Sequence, residues 1–202
     1  MTAWFKVVEV AITRYGRTAV TYKVGYIVGS LSSNSINRRL AQALAKLAPP
    51  ELELVELPIR GVPLYCPDLE ADLPPAVREL KDGIESCDAI LFVTPEYNRW
   101  IPGVLKNAID FASRPWGSNS FAGKPAAITG TSPGILGAGL AQYQLRSLLG
   151  FLDMITLGQP EAYIQFREGL LADDDSVVDE STRVFLAGFM QAFAAHIGRV
   201  VA

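Results

Sequence analysis

Apolar and polar positions along the chain repeat with two alternating periods. Lys23–Val28 (KVGYIV) and Leu52–Leu57 have the β-branched and aliphatic character of strands, and Ala89–Val93 (AILFV) is an unbroken apolar run. A continuous run of this length suits a strand covered on both faces. Lys124–Gly130 predicts a fourth strand, and Ile155–Ile164 contains a fifth. Between them the spacing becomes helical. Leu40, Leu44 and Leu47 share one face of a helix from about Ile36 to Ala48; Asn34 or Ser35 caps its start and Pro49-Pro50 stops it. Helices are also predicted over Val77–Ser86, after Pro102-Gly103, and over Leu140–Phe151. A last helix starts at about Thr182, with Leu186, Phe189, Phe193 and Ile197 as its buried stripe.

Strands alternating with helices imply βαβ units and a doubly wound α/β domain with a parallel five-stranded sheet. One such domain, residues 23–202, accounts for the chain after an N-terminal extension, residues 1–22. Within that extension Trp4–Ile12 alternates weakly, as an edge strand would. Ligands of doubly wound sheets bind beyond the carboxyl ends of the strands, where strand order reverses. The loops to watch are therefore Gly29–Asn37, Thr94–Pro102 and Thr131–Gly139.

Composition narrows the chemistry. The 202 residues carry 18 Lys plus Arg against 21 Asp plus Glu, a formal charge of −3, and half are hydrophobic. Such a chain can bury a core, and it has no basic run of the kind nucleic acid attracts. Two cysteines, Cys66 and Cys87, and one histidine, His196, are too few for a disulfide framework or a four-ligand Cys/His zinc site. Reduced thiols and a cytoplasmic location are expected. The longest uncharged stretch, Pro125–Leu145, is interrupted by Thr, Ser, Pro and Gln and does not read as a membrane span. His196 reads as a helix residue that packs or faces solvent, and Asp173–Asp175 as a solvated acidic loop.

Familiar phosphate-binding motifs are missing. No G-x-G-x-x-G follows the first strand. Gly117–Lys124 has one residue too many for a P-loop, and Pro125 stands where Ser or Thr is needed. Neither cysteine starts a C-x₅-R phosphatase loop, because the sixth residues on are Asp72 and Val93. Instead, Gly29–Asn37 (GSLSSNSIN) places four serines and two asparagines around a helix start. Free N–H groups at that end favour an anion, and hydroxyls add donors without charge. The loop reads equally well as a capping turn without ligand. The second loop, TPEYNRWIP, couples a buried strand to a Pro-flanked turn whose Tyr97 and Trp100 offer flat faces.

Together these strings carry a resemblance. P-E-Y-N…P-G-x-L-K-N-A-I-D at Pro95–Asp110 resembles the signature of the NAD(P)H-dependent FMN reductase family, which includes quinone, azo-dye and chromate reductases. Gly29–Asn37 resembles that family's phosphate loop, and Thr131-Ser132-Pro133-Gly134 its third flavin contact. The likeness runs from Lys23 to the last helix. It implies a flavodoxin-like fold of strand order 2-1-3-4-5, with FMN at the switch point and NAD(P)H as co-substrate. By position, Ser30, Ser32, Ser35, Ile36 and Asn37 would hold the phosphate and ribityl end. Pro95, Glu96, Tyr97 and Asn98 would edge the isoalloxazine, with Arg99 beside it, and Ser132 and Gly134 would close the other side. No metal is implied. Activity would be hydride transfer through flavin to quinone, azo-dye, chromate or ferric acceptors, with no ionisable protein acid required. The family forms homodimers or homotetramers with the flavin near the interface.

Three features depart from the family pattern: Ser32 where many relatives have Arg, Arg99-Trp100 after the PEYN string, and the residues before the first strand. Arg99 is expected either to contact an anionic part of the dinucleotide or acceptor, or to form an interface salt bridge. An FMN electron carrier of flavodoxin type, lacking NAD(P)H oxidation, shares the fold. A flavin-free phosphate-binding scaffold is a third reading.

Overall fold

In the computed structural model, residues 21–202 are described. The expected edge strand at Trp4–Ile12 lies outside them. The elements, in chain order, are β1 (Tyr22–Val28), α1 (Ile36–Leu47), β2 (Leu52–Glu56), α2 (Pro75–Glu85), β3 (Ala89–Val93), α3 (Gly103–Ala112), β4 (Pro125–Ser132), α4 (Gly139–Phe151), β5 (Ile155–Thr156), β6 (Ala162–Gln165) and α5 (Glu180–Val200). A short 3₁₀ turn at Pro67–Leu69 interrupts the long loop after β2. Among the described residues every strand pairing is parallel, as the alternating pattern predicts, and the order β2-β1-β3-β4-β5 is the one the family resemblance implies.

The predicted fifth strand is two short strands. β5 pairs with Pro125-Ala126 at the start of β4, and β6 pairs with Thr129–Ser132 at its end. The chain leaves the sheet through Gly158-Gln159-Pro160 between them. Pro160 has no N–H to give a ladder, which suits this gap. β4 is correspondingly longer than expected and carries Thr131 and Ser132 inside the sheet.

The sheet separates two cores. On one side α1 and α5 bury Leu40, Leu44, Phe189 and Phe193 against Val24, Leu91 and Ala127. On the other, α2, α3 and α4 bury Ile84, Leu105, Ile109 and Leu145 against Ile27, Ile90, Phe92 and Ile128. β3 lies between them with all five residues buried, as its unbroken apolar run requires. Close packing constrains the strand ends. A Cβ on Gly130 would lie 2.0 Å from the carbonyl oxygen of Thr94, so only glycine lets β4 pass the second loop.

His196 is buried on α5, and its Nε2 lies 2.7 Å from the carbonyl oxygen of Ile155. The acidic loop is pinned to α1: Asp175 pairs with Arg39 Nε at 2.5 Å and Asp174 with Lys46 Nζ at 3.1 Å. Their complementary charges hold a segment that sequence alone presents as free. Among the described residues, no helix is long and apolar enough to cross a membrane.

Candidate functional site

The three loops meet at the carboxyl ends of β1, β3 and β4. They enclose an open cleft of about 230 Å³. The serine loop contributes Ser30, Ser32, Asn34, Ser35, Ile36 and Asn37; the second loop Pro95, Glu96 and Tyr97; the third Thr131, Ser132 and Pro133. Nine residues singled out from the sequence thus share one wall. Asn98, Arg99 and Gly134 do not line it. Asn34, Thr131 and Pro133 also line it; the sequence places them in the first and third loops without naming them as individual contacts. Their signal was the continuation of β4, which carries Thr131 to the strand end.

The serine loop is a run of short turns. Ser30 Oγ accepts from the Ser32 N–H at 3.3 Å, and Ser32 Oγ from the Asn34 N–H at 3.2 Å. Ser35 is the N-cap of α1, its Oγ accepting from the Arg38 N–H at 3.2 Å. Ile36 and Asn37 are the first helical residues, and N–H groups there have no intrahelical acceptor. These donors and the positive end of α1 meet at the cleft.

Two side chains bolt the third loop to the other two. Asn37 is 0% exposed; its Nδ2 donates to the Thr131 carbonyl at 2.9 Å, and its Oδ1 accepts from the Thr131 N–H at 2.9 Å. Its amide therefore acts as a strand partner for β4. Glu96 works at the other end. Its Oε2 accepts from the N–H groups of Leu140 and Ala141 at 3.0 and 3.2 Å. These are first-turn donors of α4, whose N-cap position, Ala138, has no side chain able to accept them. The Glu96 side chain is 7% exposed, and its Oε1 pairs with Arg99 at 3.0 Å.

Arg99 thus finds its counter-charge within its own loop. Tyr97 and Trp100 exchange two backbone hydrogen bonds, each 3.0 Å, around Asn98 and Arg99. Asn98 and Arg99 have φ of 53° and 66°. This is a type I′ turn, closed by backbone bonds. Asn tolerates the left-handed region, whereas Arg is strained there. The turn holds both aromatic side chains half-exposed, Tyr97 in the wall of the cleft and Trp100 in a neighbouring groove between α3 and α4.

The donor set suits a phosphate monoester: backbone N–H groups, neutral hydroxyls and a helix dipole. The flat side chains and strand-end backbone beside it suit a planar heterocycle. FMN joins these two chemistries in one molecule. Among the described residues no cluster of three His, Cys, Asp or Glu is placed to hold a metal ion.

Comparison with known proteins decides the matter. The profile of the family described as NADPH-dependent FMN reductase matches residues 22–169, all three loops included. The chain belongs to that family. It is 46% identical over 175 residues to a 2-hydroxy-1,4-benzoquinone reductase of a Burkholderia species, covering 87% of this chain and 96% of the relative. It is 38% identical over 182 residues to a quinone reductase of Escherichia coli K12, covering 86% and 94%. The solved structure of FerB, a flavoenzyme NAD(P)H:(acceptor) oxidoreductase from Paracoccus denitrificans, superposes with a TM-score of 0.86 at 49% identity, covering 89% of this chain and 98% of FerB. A WrbA-like flavodoxin from Agrobacterium tumefaciens, 20% identical with a TM-score of 0.57, shares the fold. This FMN reductase family member is an oxidoreductase with a flavodoxin-like fold, FMN as cofactor and NAD(P)H as electron donor.

Proposed function

We propose that the protein is an NAD(P)H:quinone oxidoreductase whose flavin sits in the three-loop cleft. The observation that carries this is the convergence of the serine loop, the PEYN turn and the end of β4 on one cavity. FMN, when bound there, accepts a hydride from NAD(P)H and passes the reducing equivalents to an acceptor. The chain's own residues bind and orient. The Ile36 and Asn37 N–H groups, with the hydroxyls of Ser30, Ser32 and Ser35, hold the phosphate and ribityl end. Pro95, Glu96 and Tyr97 edge the ring system; Thr131, Ser132 and Pro133 close the opposite side. Asn37 and Glu96 keep the loops at fixed separation through backbone bonds.

Donor and acceptor would approach in turn from the open side of the cleft, beside Tyr97. The Glu96 carboxylate already accepts from α4 and pairs with Arg99, so solvent supplies the proton that completes quinone reduction. Arg99 is largely exposed, at 70% of its side chain, so its guanidinium can reach an anionic group of the dinucleotide or acceptor while Glu96 stays buried beneath it. Quinones are the favoured acceptors, because the curated relatives above are named for them. A cytoplasmic location fits the reduced-thiol reading of Cys66 and Cys87.

We further propose a homodimer. A groove of about 460 Å³ between α3 and α4 runs from Trp100 past Ile109 and Leu148 to Phe151. Trp100 and Phe151 are exposed, and Tyr143 projects from the same helix as Phe151. A second copy on this face would bring its own side chains to the mouth of the cleft. Sedimentation of the flavin-loaded protein at monomer mass would refute it.

The flavin spectrum tests the main reading. Purified protein should be yellow, and its flavin bands should bleach within seconds of anaerobic NADPH or NADH addition. Steady-state kinetics with a benzoquinone should give parallel reciprocal plots. Bands that persist with both nucleotides yet bleach with dithionite would make the protein an electron carrier.

A further inference from the structure

The serine loop walls two cavities. Asn34, Ser35 and Ile36 line the flavin cleft, and the same three residues line a second cavity of about 540 Å³. This second space lies between α1 and the segment after β6, with Gln42 on the helix and Phe166 and Asp173 across from it. Its volume is typical of small-molecule sites, roughly 300–1,000 Å³. The hydride chemistry proposed above makes no use of it.

Its lining has a chemical direction. Arg38 and Arg39, the third and fourth residues of α1, both stand in it, together with two carboxylates, Asp173 and Asp175. Neither arginine sweeps solvent freely. Arg38 is paired with Glu56, and Arg39 is fixed by Asp175 at 2.5 Å and by the Ala172 carbonyl at 2.6 Å. Arg39 spends its Nε and Nη2 on these partners; among the described residues Nη1 has no acceptor. A guanidinium fork keeps such a donor in fixed geometry. Phe166 is half-buried, packing on the core from the cavity wall, and an aromatic side chain is the kind of group on which a purine stacks. Asp173 is exposed on the rim, an acceptor for a ribose hydroxyl or a purine amino group.

The linking residues matter as much. A flavin phosphate at Ile36 and Asn37 would sit at the junction of the two cavities. There it meets N–H groups and hydroxyls, and the serine loop itself supplies no cation. Such a cradle does not demand a dianion. It tolerates a phosphate esterified onward, which carries one charge less.

We propose that the second cavity receives the adenosine monophosphate half of FAD, so that the protein binds FAD as well as FMN. The proposal rests on the flavin reading of the cleft. FAD's flavin half occupies the three-loop cleft, its pyrophosphate crosses the Asn34–Ile36 ridge, and its purine lies on Phe166. Arg39 Nη1 faces the adenylate phosphate.

The test is calorimetric titration of the full-length, flavin-free protein with FMN and with FAD. FAD should bind within about tenfold of FMN. Gln42→Trp fills the second cavity from an exposed helix position that does not touch the flavin cleft. It should weaken FAD about tenfold or more while leaving FMN within about twofold. FMN binding with FAD about a hundredfold weaker overturns the proposal and leaves the flavin reading intact. So does a Gln42→Trp protein that loses both flavins equally. If the variant instead raises the KM for NADPH with FAD affinity unchanged, the cavity serves the nicotinamide dinucleotide and the proposal is wrong. A protein that binds neither flavin refutes the cleft reading first, and this inference with it.

Discussion

Asn37 satisfies both backbone polar groups of Thr131. Asn37→Ala would leave a buried N–H and a buried C=O unpaired. Each costs about 1–3 kcal/mol, so a loss of about 2–5 kcal/mol is expected from urea unfolding. Arg99 is the opposite kind of residue. Arg99→Gly removes left-handed strain of about 1–2 kcal/mol and gives up the ion pair with Glu96, whose carboxylate keeps its two bonds to the start of α4. Stability should stay level or rise slightly, so a raised KM for NAD(P)H or quinone would report contact with substrate. Unchanged constants for every substrate would leave Arg99 as a loop ion pair only. Tyr163 sets an alkaline limit. Its burial, reinforced by Glu161, pushes the phenol up to about 12. A raised folded-state value stabilises the protein below the ordinary tyrosine range, and that stability disappears as pH climbs through the raised value. Tyr163→Phe should flatten the fall in stability measured between pH 10 and about 12.

Among elements, α4 depends on a cap from another loop. Glu96→Ala removes the acceptor for its first-turn N–H groups and should cost about 1–2 kcal/mol, read as a lower urea midpoint at unchanged slope. Glu96→Gln retains an acceptor oxygen and should lose less. Gly130→Ala forces a Cβ onto the Thr94 backbone, which cannot swing aside. About 3 kcal/mol of destabilisation is expected from thermal unfolding, with weakened flavin binding because Pro95 and Glu96 follow directly. These dependencies explain what could be read from sequence. Ala89–Val93 was legible because a wholly buried strand needs an unbroken apolar run. Helix α1 was legible because Ser35 and Pro49-Pro50 mark its ends locally. The loops were legible as sites through their residue types and family signature. Glu96 as a cap was not, because its acceptor bonds go to residues 44 and 45 positions away. Asn37 as a strand partner was hidden in the same way, its partner lying 94 positions on. The division of the fifth strand escaped because Ile155-Thr156 is too short to show a period, and only the length of β4 gives it a place.

At the scale of the whole molecule, cofactor and fold are coupled. In the proposed site FMN would bridge three loops that the side chains of Asn37 and Glu96 also tie together. A ligand at a hundred times its Kd adds about 2.7 kcal/mol to the native state. For a chain of this size the melting temperature should rise by about 5–10 °C when FMN is added to flavin-free protein. No shift would mean that the cleft is empty in solution. The divided fifth strand has a consequence at this scale too. A sheet edge is a template for another chain's backbone, and long flat edges invite amyloid-like stacking. Among the described residues one edge, β2, spans five residues and carries Glu53 and Glu56. The other is cut into pieces of two and four residues with Gly158-Gln159-Pro160 between them. Neither border offers a ladder long enough to propagate. At high concentration this protein should stay clear of fibrils, and copies of it should meet through their helices.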